Sequence, residues 1–372
     1  MVINWREVLF IVFCADALIQ LFYYLYFFRR VAFPPVRERL MTREHPVSVI
    51  ICARDEAANL ARFLPGTLLQ DYRTSYEVVV VNDNSQDETR YLLEGMHREF
   101  RHLNVVELKQ EAMLIPGKKY PLSVGIKTAR HEILMLTDAD CVPATEHWIQ
   151  KMQDAFTDGK EIVLGYGAYQ KKRSLLNALI RFDTFHTALQ YFSYALAGLP
   201  YMGVGRNLAY RRDVFFRHKG FSSHNHIPSG DDDLFINMAA TRENTTVVMD
   251  KEAFTLSEPK KTWGAWIKQK NRHFSTSKFY RPLHRFLLGL YALSTFLFLP
   301  LFIACIILVD WQWALAVFAP RFILQGIFWK IAMSRLDEAD LWPWYPLLDA
   351  WMFLYYLTFA PALWKRPKAS WK

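Results

Sequence analysis

At the centre of the chain stands the stretch His131-Glu132-Ile133-Leu134-Met135-Leu136-Thr137-Asp138-Ala139-Asp140-Cys141-Val142-Pro143. Its apolar part, residues 133–136, predicts a buried strand of a parallel sheet. The strand would deliver Asp138 and Asp140 to the carboxyl edge of the sheet, where open α/β folds place their ligands. Two hard oxygen ligands at this edge predict a Mg²⁺ or Mn²⁺ site that neutralises a diphosphate. The same residues would also suit an acidic turn that only caps the next element.

The composition indicates membrane segments on both sides of a soluble middle. Hydrophobic residues make up 52% of the 372 residues, with 28 Phe, 18 Tyr and 12 Trp, and the apolar runs are concentrated at the two ends. The formal net charge of +9 suits anionic lipid or a phosphorylated substrate. No nucleic-acid-binding motif accompanies this charge, so nucleic acid is excluded as a partner. Four cysteines without paired spacing predict buried thiols in a reducing compartment.

The N-terminal segment, residues 1–30, is predicted to be an uncleaved transmembrane helix. Residues 8–28 contain one charge, Asp16, and the run is too long and too aromatic for a signal peptide. A linker follows over residues 31–45, with Pro34-Pro35 as its stiff part. The positive-inside rule places the following domain on the cytoplasmic side of the membrane. The default expectation is a bacterial inner membrane. The arginines behind this orientation are Arg29, Arg30, Arg37, Arg39 and Arg43.

The middle of the chain repeats a pattern of strand, polar turn and helix. Residues 47–56 are predicted to be a buried strand that runs into a polar turn, and further strands are predicted at 76–81 and 104–108, the first of which also ends in an acidic turn. This alternation predicts an α/β domain with a mostly parallel, doubly wound sheet of the Rossmann-like, nucleotide-binding kind.

Four motifs in order make the domain resemble the inverting family 2 glycosyltransferases, in their integral-membrane branch. The motifs are Val47-Ser48-Val49-Ile50-Ile51 with Asp55-Glu56, then Val81-Asn82-Asp83-Asn84-Ser85, Gly117-Lys118 and Thr137-Asp138-Ala139-Asp140. The resemblance implies a GT-A fold, a UDP- or GDP-sugar donor and a divalent metal. It implies a catalytic domain over residues 46–282, with a nucleotide-binding half at 46–145 and an acceptor half with interfacial helices at 146–282.

The resemblance also assigns the donor-side residues. Asp140, with Asp138 assisting, would hold the metal, and Lys118 would add a positive charge beside the diphosphate. Glu56 and Asp83 match positions that contact the base and ribose of the nucleotide. A later segment, Gln269-Lys270-Asn271-Arg272-His273, resembles the Gln-x-x-Arg-Trp motif, in which Gln269 and Arg272 would bind the donor. His273 replaces the Trp that is associated with processive synthases.

The acidic triplet in Ser229-Gly230-Asp231-Asp232-Asp233-Leu234-Phe235 resembles the motif that supplies the catalytic base. Neighbouring carboxylates raise one another's pKa, which suits a base near neutral pH. Asp232 is the favoured base, and an alignment shifted by one residue selects Asp231. The alternative is an acidic N-cap for a helix over residues 234–240. The segment 203–212 resembles the acceptor side of the family.

The C-terminal region, residues 283–372, is predicted to hold two or three transmembrane helices. Residues 286–309 contain no charge, whereas 311–329 and 341–364 contain one each, Arg321 and Asp349. Three spans here would put Lys365-Arg366-Pro367-Lys368 outside, against the positive-inside rule. We therefore expect residues 311–329 to be re-entrant or interfacial. Arg321 and Asp349 would be mutual partners or would line a lipid or glycan path.

Two further segments are candidates for membrane contact. Residues 175–199 would suit an interfacial helix or a helix of the domain core equally well. Residues 262–270 combine Trp and Lys, which predicts a position in the lipid headgroup layer.

These patterns predict a membrane-bound glycosyltransferase that transfers a sugar, with inversion, to a lipid-linked or envelope glycan acceptor. A processive polysaccharide synthase is the nearest alternative. A non-catalytic, nucleotide-sugar-binding partner in an envelope assembly complex is another. A nucleotidyltransferase is excluded, since Cys52-Ala53-Arg54-Asp55-Glu56 contains no glycine for a phosphate loop.

Overall fold

The computed structural model describes residues 4–35, 44–109, 117–157 and 159–364. Three of the arginines used for orientation, Arg37, Arg39 and Arg43, and the basic segment Lys365-Arg366-Pro367-Lys368 lie outside these ranges.

Ten strands occur in the described ranges. In chain order they are β1 (Val47–Ala53), β2 (Tyr76–Asp83), β3 (Leu103–Leu108), β4 (Ile133–Asp138), β5 (Cys141–Pro143), β6 (Ile162–Leu164), β7 (Gly167–Tyr169), β8 (Leu208–Arg211), β9 (Thr245–Val247) and β10 (Thr255–Ser257).

The α-helices alternate with these strands and then take over the C-terminal part. They are α1 (Trp5–Phe22), α2 (Arg29–Ala32), α3 (Ala57–Leu68), α4 (Thr89–Glu99), α5 (Lys119–Thr128), α6 (Trp148–Gln153), α7 (Leu175–Leu196), α8 (Arg212–Arg217), α9 (Asp233–Ala239), α10 (Trp263–Phe274), α11 (Pro282–Leu308), α12 (Trp311–Arg335) and α13 (Tyr345–Phe359). A π-helical segment, Tyr23–Phe28, joins α1 to α2, and 3₁₀ turns occupy Ser222–His224, Lys251–Ala253, Ser277–Phe279, Ala339–Trp344 and Ala360–Trp364.

Seven strands form the main sheet in the order β3-β2-β1-β4-β8-β6-β9. The first four run parallel, β8 is antiparallel to both its neighbours, and β6 and β9 are parallel. A small second sheet has the order β5-β10-β7. The predicted α/β class with a mostly parallel sheet is confirmed. Because β1 and β4 are neighbours with Cys52 opposite Asp138, their polar carboxyl ends meet at one edge.

Helices cover both faces of the sheet. Every residue of β1 is buried, as expected for a central parallel strand. In β2, Val78 and Val80 face the layer of α3, α4 and α6, whereas Val79 and Val81 face the layer of α5 and α7. The alternation follows from the two-residue period of a strand.

Helix α7 belongs to the core and is not interfacial. Most of its 22 residues are buried, including Arg181, Asp183 and His186, and it packs between the sheet and the N-terminal helix. Of the two alternatives that the sequence left open for this segment, the burial of α7 agrees with a helix of the domain core. The polar residues that made α7 look amphipathic have buried partners: Arg181, for example, donates to Glu338 at 2.8 Å.

Within the described ranges, three helices are long and apolar enough to cross a membrane: Trp5–Ala32, α11 and α12. The first continues two residues beyond the predicted boundary at residue 30. Nε of Arg335 donates to the carbonyl of Ala32 at 2.9 Å, so the C-terminal ends of the first and third helices lie together.

Residues 311–329, which we expected to be re-entrant or interfacial, lie within the continuous 25-residue α12, whose length and composition suit a span. The last apolar segment is instead the broken one. It consists of a 3₁₀ turn, the 15-residue α13 and another 3₁₀ turn, and a 15-residue helix is shorter than a span requires.

The two charges of the membrane region are partners, which is one of the two predicted outcomes. Nη1 of Arg321 donates to Asp349 at 2.5 Å, and its Nε donates to Gln20 at 2.7 Å. Gln325 donates to the second carboxylate oxygen of Asp349 at 2.9 Å. The network joins α1, α12 and α13, and it satisfies charges that an apolar environment would otherwise penalise.

Candidate active site

A cavity of about 1300 Å³ lies between the carboxyl edge of the main sheet, α10 and the start of α11. It brings together most of the residues that the sequence predicted for catalysis, donor binding or metal binding. Those that line it are Glu56, Lys118, Asp138, Asp140, Asp231, Asp232, Gln269 and Arg272. Asp83 is the predicted site residue that is not in the lining.

Two interlocked loops build the edge at the ends of β1 and β2. Asp55 and Asn84 both have a φ of 52°, a left-handed conformation that Asp and Asn tolerate better than most residues. The backbone N–H of Asp55 donates to Oγ of Ser85 at 2.9 Å, and the N–H of Gln86 donates back to the Asp55 carboxylate at 2.7 Å. These reciprocal bonds fix the position of Glu56, which follows directly.

Asp83 is buried at the end of β2 and faces Arg54, with 3.8 Å between the carboxylate and the guanidinium. Arg54 lines the cavity. If Asp83 contacts a nucleotide as predicted, the guanidinium of Arg54 is a second charged group at the same position. The sequence assigned no role to Arg54, although its place next to Glu56 was visible.

The residues at the end of β4 fit a divalent cation. Carboxylate oxygens of Asp138 and Asp140 and the thiol of Cys141 all lie within 4.8 Å of one another. Burial and the charge of Asp138 raise the pKa of Asp140, so the pair carries repulsion that a cation would relieve. Oxygen ligands suit Mg²⁺ or Mn²⁺, whereas the buried thiol of Cys141 already contacts Ser257 at 2.8 Å.

Positive charges balance Asp138. Burial alone raises the pKa of this carboxyl, but the ion pair with Lys118, together with Arg206 and Arg272, brings it below its usual value. Arg206 is a site residue that the sequence reasoning missed as a cation, because it appeared only as part of the segment 203–212. Its Nε donates to the carbonyl of Gly167 at 2.9 Å, and its guanidinium lies 4.6 Å from the ring centre of Tyr169.

Asp232 lies at the start of α9 and is held by two backbone groups. One carboxylate oxygen accepts from the N–H of Gly205 at 2.7 Å, and the other accepts from the N–H of Asp233 at 2.7 Å. Burial and the charges of Asp231 and Asp233 raise the pKa of Asp232 to about 7, although the two N–H groups lower it. The acidic N-cap and the base are thus compatible roles for the same carboxylate.

Asp233 has a different environment from its neighbour. Its carboxylate accepts from the hydroxyls of Thr276 at 2.5 Å and Tyr280 at 2.8 Å, and it is buried. Asp233 therefore ties α9 to the segment between α10 and α11.

Lys119 supports the acidic triplet, and the sequence analysis missed it. The side chain is fully buried, and its ammonium donates to the carbonyls of His224, Ile227 and Ser229 at 2.8, 2.5 and 2.7 Å. Burial lowers its pKa to about 8, although the nearby carboxylates raise it. Gly117, two residues before Lys119, has a φ of +81°. A Cβ at this position would lie 2.2 Å from the carbonyl oxygen of Pro228, so the close approach of the two backbones requires glycine.

Helix α10 carries the Gln269 and Arg272 motif along one wall of the cavity. Gln269 donates to the hydroxyl of Tyr169 at 3.3 Å, and Lys270 pairs with Asp183 at 2.9 Å. The predicted headgroup position of this segment is wrong for Trp266, which is 2% exposed.

Comparisons with known proteins agree with this geometry. The model of the family described as "Glycosyltransferase like family 2" matches residues 45–276. The chain belongs to this family. The match spans the whole main sheet and includes the acidic turn after β4, the acidic triplet and α10.

Individual relatives are more distant. The chain is 29% identical to a beta-monoglucosyldiacylglycerol synthase of Trichormus variabilis over 37% of its own length and 28% of that protein. It is 31% identical to glycosyltransferase AglE of Haloferax volcanii over 28% of this chain and 33% of that protein. The chain therefore matches about a third or less of these curated relatives.

Among solved structures, the mannosyltransferase PcManGT of Pyrobaculum calidifontis, in complex with GDP-Man and Mn²⁺, is similar in fold. The TM-score is 0.58 at 19% identity, and the alignment covers 94% of this chain and 99% of that one. The likeness thus extends beyond the family match into the helical C-terminal part.

Proposed function

We propose that this protein is a membrane-bound glycosyltransferase that transfers one sugar, with inversion, from a nucleotide-sugar donor to a lipid-linked acceptor. The observation that supports this most is that one cavity contains both the Asp138–Asp140 pair and Asp232, and that it continues to the first turns of α11. A donor site and a base therefore open towards a helix that is apolar enough to span a membrane.

The donor end would hold the diphosphate. Asp138 and Asp140 would bind Mg²⁺ or Mn²⁺, which when present neutralises charge on the departing diphosphate. Lys118, Arg206 and Arg272 surround Asp138 with positive charge, and this charge would stabilise the leaving nucleoside diphosphate as the glycosidic bond breaks.

Asp232 would act as the general base. As the acceptor oxygen forms its bond to the anomeric carbon, on the side opposite the leaving group, the Asp232 carboxylate takes the proton of the acceptor hydroxyl. A pKa of about 7 keeps enough of this carboxylate ionised at neutral pH while leaving it basic enough to accept a proton.

The lipid-linked acceptor has two supports. The cavity reaches Leu288, Gly289 and Ala292 of α11, inside the apolar helix. The name of the Trichormus relative describes a product built on diacylglycerol, which is a lipid. Arg29 and Arg30 at the end of the first helix support an orientation with the catalytic domain in the cytoplasm.

A thermal-shift screen tests the donor site. Detergent-purified protein is heated with UDP-sugars or GDP-sugars, with and without Mn²⁺, as wild type, Asp140→Ala and the control Asp213→Ala, whose side chain is exposed on α8. A ligand at 100 times its dissociation constant stabilises by about 2.7 kcal/mol. We expect Mn²⁺-dependent stabilisation by one nucleotide class, lost only in Asp140→Ala. Absence of a shift with every donor would contradict a nucleotide-sugar site at this end of the cavity.

Product length separates transfer of one sugar from polymerisation. His273, in place of the Trp of processive enzymes, lies exposed in the cavity lining beside Arg272. We expect a single product larger than the acceptor by one sugar, measured by mass spectrometry. A ladder of products would instead identify a polysaccharide synthase.

A further inference from the structure

The membrane end of the cavity is a groove along one face of α11. Arg285, Leu288, Gly289 and Ala292 all line the cavity, and their spacing of three, four and seven residues places them on one side of the helix. A Cβ added at Gly289 would meet no heavy atom within 4 Å. The groove is therefore open at Gly289, within a helix that is long and apolar enough to span a membrane.

The polar end of this groove is positively charged. Nη1 of Arg285 donates to the carbonyl of Lys278 at 3.2 Å, which keeps the two residues together, and both line the cavity. No acidic residue occurs in the sequence between Glu258 and Asp310. Of the basic residues in that interval, Lys270 pairs with Asp183 and Arg272 lies near Asp138, so the cations that line the cavity at its α11 end are Lys278 and Arg285.

We propose that the acceptor is a phosphate-bearing lipid, whose chain enters from the bilayer along the Gly289 face of α11 and whose phosphate is bound by Lys278 and Arg285. This inference rests on the proposed transfer to a lipid and adds the entrance and the charge of the acceptor. A lipid that enters along α11 passes Lys278 and Arg285, and these two cations bind an anionic headgroup more strongly than a neutral one. The missing side chain at Gly289 leaves room for a hydrocarbon chain beside Leu288 and Ala292.

The test compares three probes that separate the chain from the phosphate: farnesyl phosphate, farnesol and inorganic phosphate. Binding to the full-length protein in detergent micelles is followed by tryptophan fluorescence. We expect farnesyl phosphate to bind about tenfold more tightly than farnesol, a difference of about 1.4 kcal/mol. Arg285→Gln should remove this difference, whereas Gly289→Leu should weaken the binding of both lipids.

Gly95→Leu is the matched control, because Gly95 lies on α4 and an added Cβ there also meets nothing within 4 Å. It should bind both lipids as the wild type does. All variants are first heated with the nucleotide that stabilises the wild type. An unchanged response shows that the donor site is intact, so a failure of lipid binding is distinguished from a failure of the proposed function.

Three results would overturn the proposal. The first is wild-type binding of both lipids by Gly289→Leu, which would place the chain elsewhere. The second is an unchanged preference for farnesyl phosphate in Arg285→Gln. The third is binding of inorganic phosphate as tight as that of farnesyl phosphate, which would show a site for free phosphate rather than for a lipid headgroup.

Discussion

The two ends of the cavity are built differently. At the donor end, the acidic groups have close partners: the loop of Asp55 bonds reciprocally to the next loop, and Asp232 accepts from two backbone N–H groups. At the membrane end, Gly289 faces open space, and the cations Lys278 and Arg285 line the cavity.

The difference separates two requirements: reacting groups must be held in exact positions at the donor end, and a lipid chain needs space at the membrane end. Transfer needs the diphosphate, the sugar and the base to be held within fractions of an ångström, so the donor end is rigid. A lipid chain needs an apolar passage and an electrostatic anchor, which fewer contacts can provide. Changes at the donor end should therefore affect the chemical step, and changes at the membrane end should affect the acceptor or the stability of the helices.

The largest effect is expected for Asp232→Asn. Removing the base should lower the rate of sugar transfer by about 10³-fold, while nucleotide binding persists because the metal pair and Lys118 are unchanged. Rates come from product formation with a saturating donor, and nucleotide binding comes from the thermal shift. Asp213→Asn, an exposed carboxylate on α8, should keep the wild-type rate. If Asp231→Asn is the slower variant, the base is Asp231 instead.

Lys119→Met should produce the next largest effect, and it acts on stability. Three buried carbonyls of the segment before the acidic triplet would lose their donor, which costs about 3 kcal/mol in the free energy of unfolding. Thermal unfolding measures the loss. The matched control is Lys127→Met, since Lys127 lies exposed on the same helix. Equal melting temperatures for the two variants would contradict a supporting role for Lys119.

The pH dependence of transfer should report Asp232. A base must be ionised, so kcat/KM should rise about tenfold per pH unit below its pKa and level off above about 7. Because the charge of Asp231 raises this pKa, Asp231→Asn should shift the profile towards lower pH. The measurement is initial rate against pH with a fixed donor concentration. A profile that Asp231→Asn leaves unmoved would mean that burial and the charge of Asp233, without Asp231, raise the pKa of Asp232.

The sequence predicted the parts of the molecule that depend on local pattern. Continuous apolar runs identified β1, β2 and β4, and the acidic turns that follow them lie at one edge of the sheet, as the parallel arrangement requires. Long apolar segments with at most one charge likewise identified α1 and α11. Each of these signals is contained in about 10 to 25 consecutive residues, within the reach of periodicity.

Contacts between distant segments were beyond that reach. Lys119 donates to carbonyls more than 100 residues away along the chain. The sequence therefore gave no sign that Lys119 and its neighbour Lys118 have different roles. The sequence did not decide whether α7 is buried for the same reason, because Arg181 meets its partner Glu338 only in the folded chain. Hydropathy does not register where a helix stops, so the sequence left open whether the last apolar segment is one helix or several short ones.

The smallest effect on sugar transfer is expected for Asp349→Asn at the membrane end, because this substitution acts on stability. It leaves the buried guanidinium of Arg321 without its carboxylate, and removing one partner of a buried ion pair costs about 3 kcal/mol in the free energy of unfolding. Thermal unfolding in detergent should show this decrease, whereas Asp310→Asn should be neutral because Asn also caps a helix well. The nucleotide-dependent shift should be unchanged in both variants, since the donor end has its own hydrogen bonds. Loss of that shift in Asp349→Asn would show that α13 transmits its position to the donor site, and the two ends of the cavity would then be one cooperative unit.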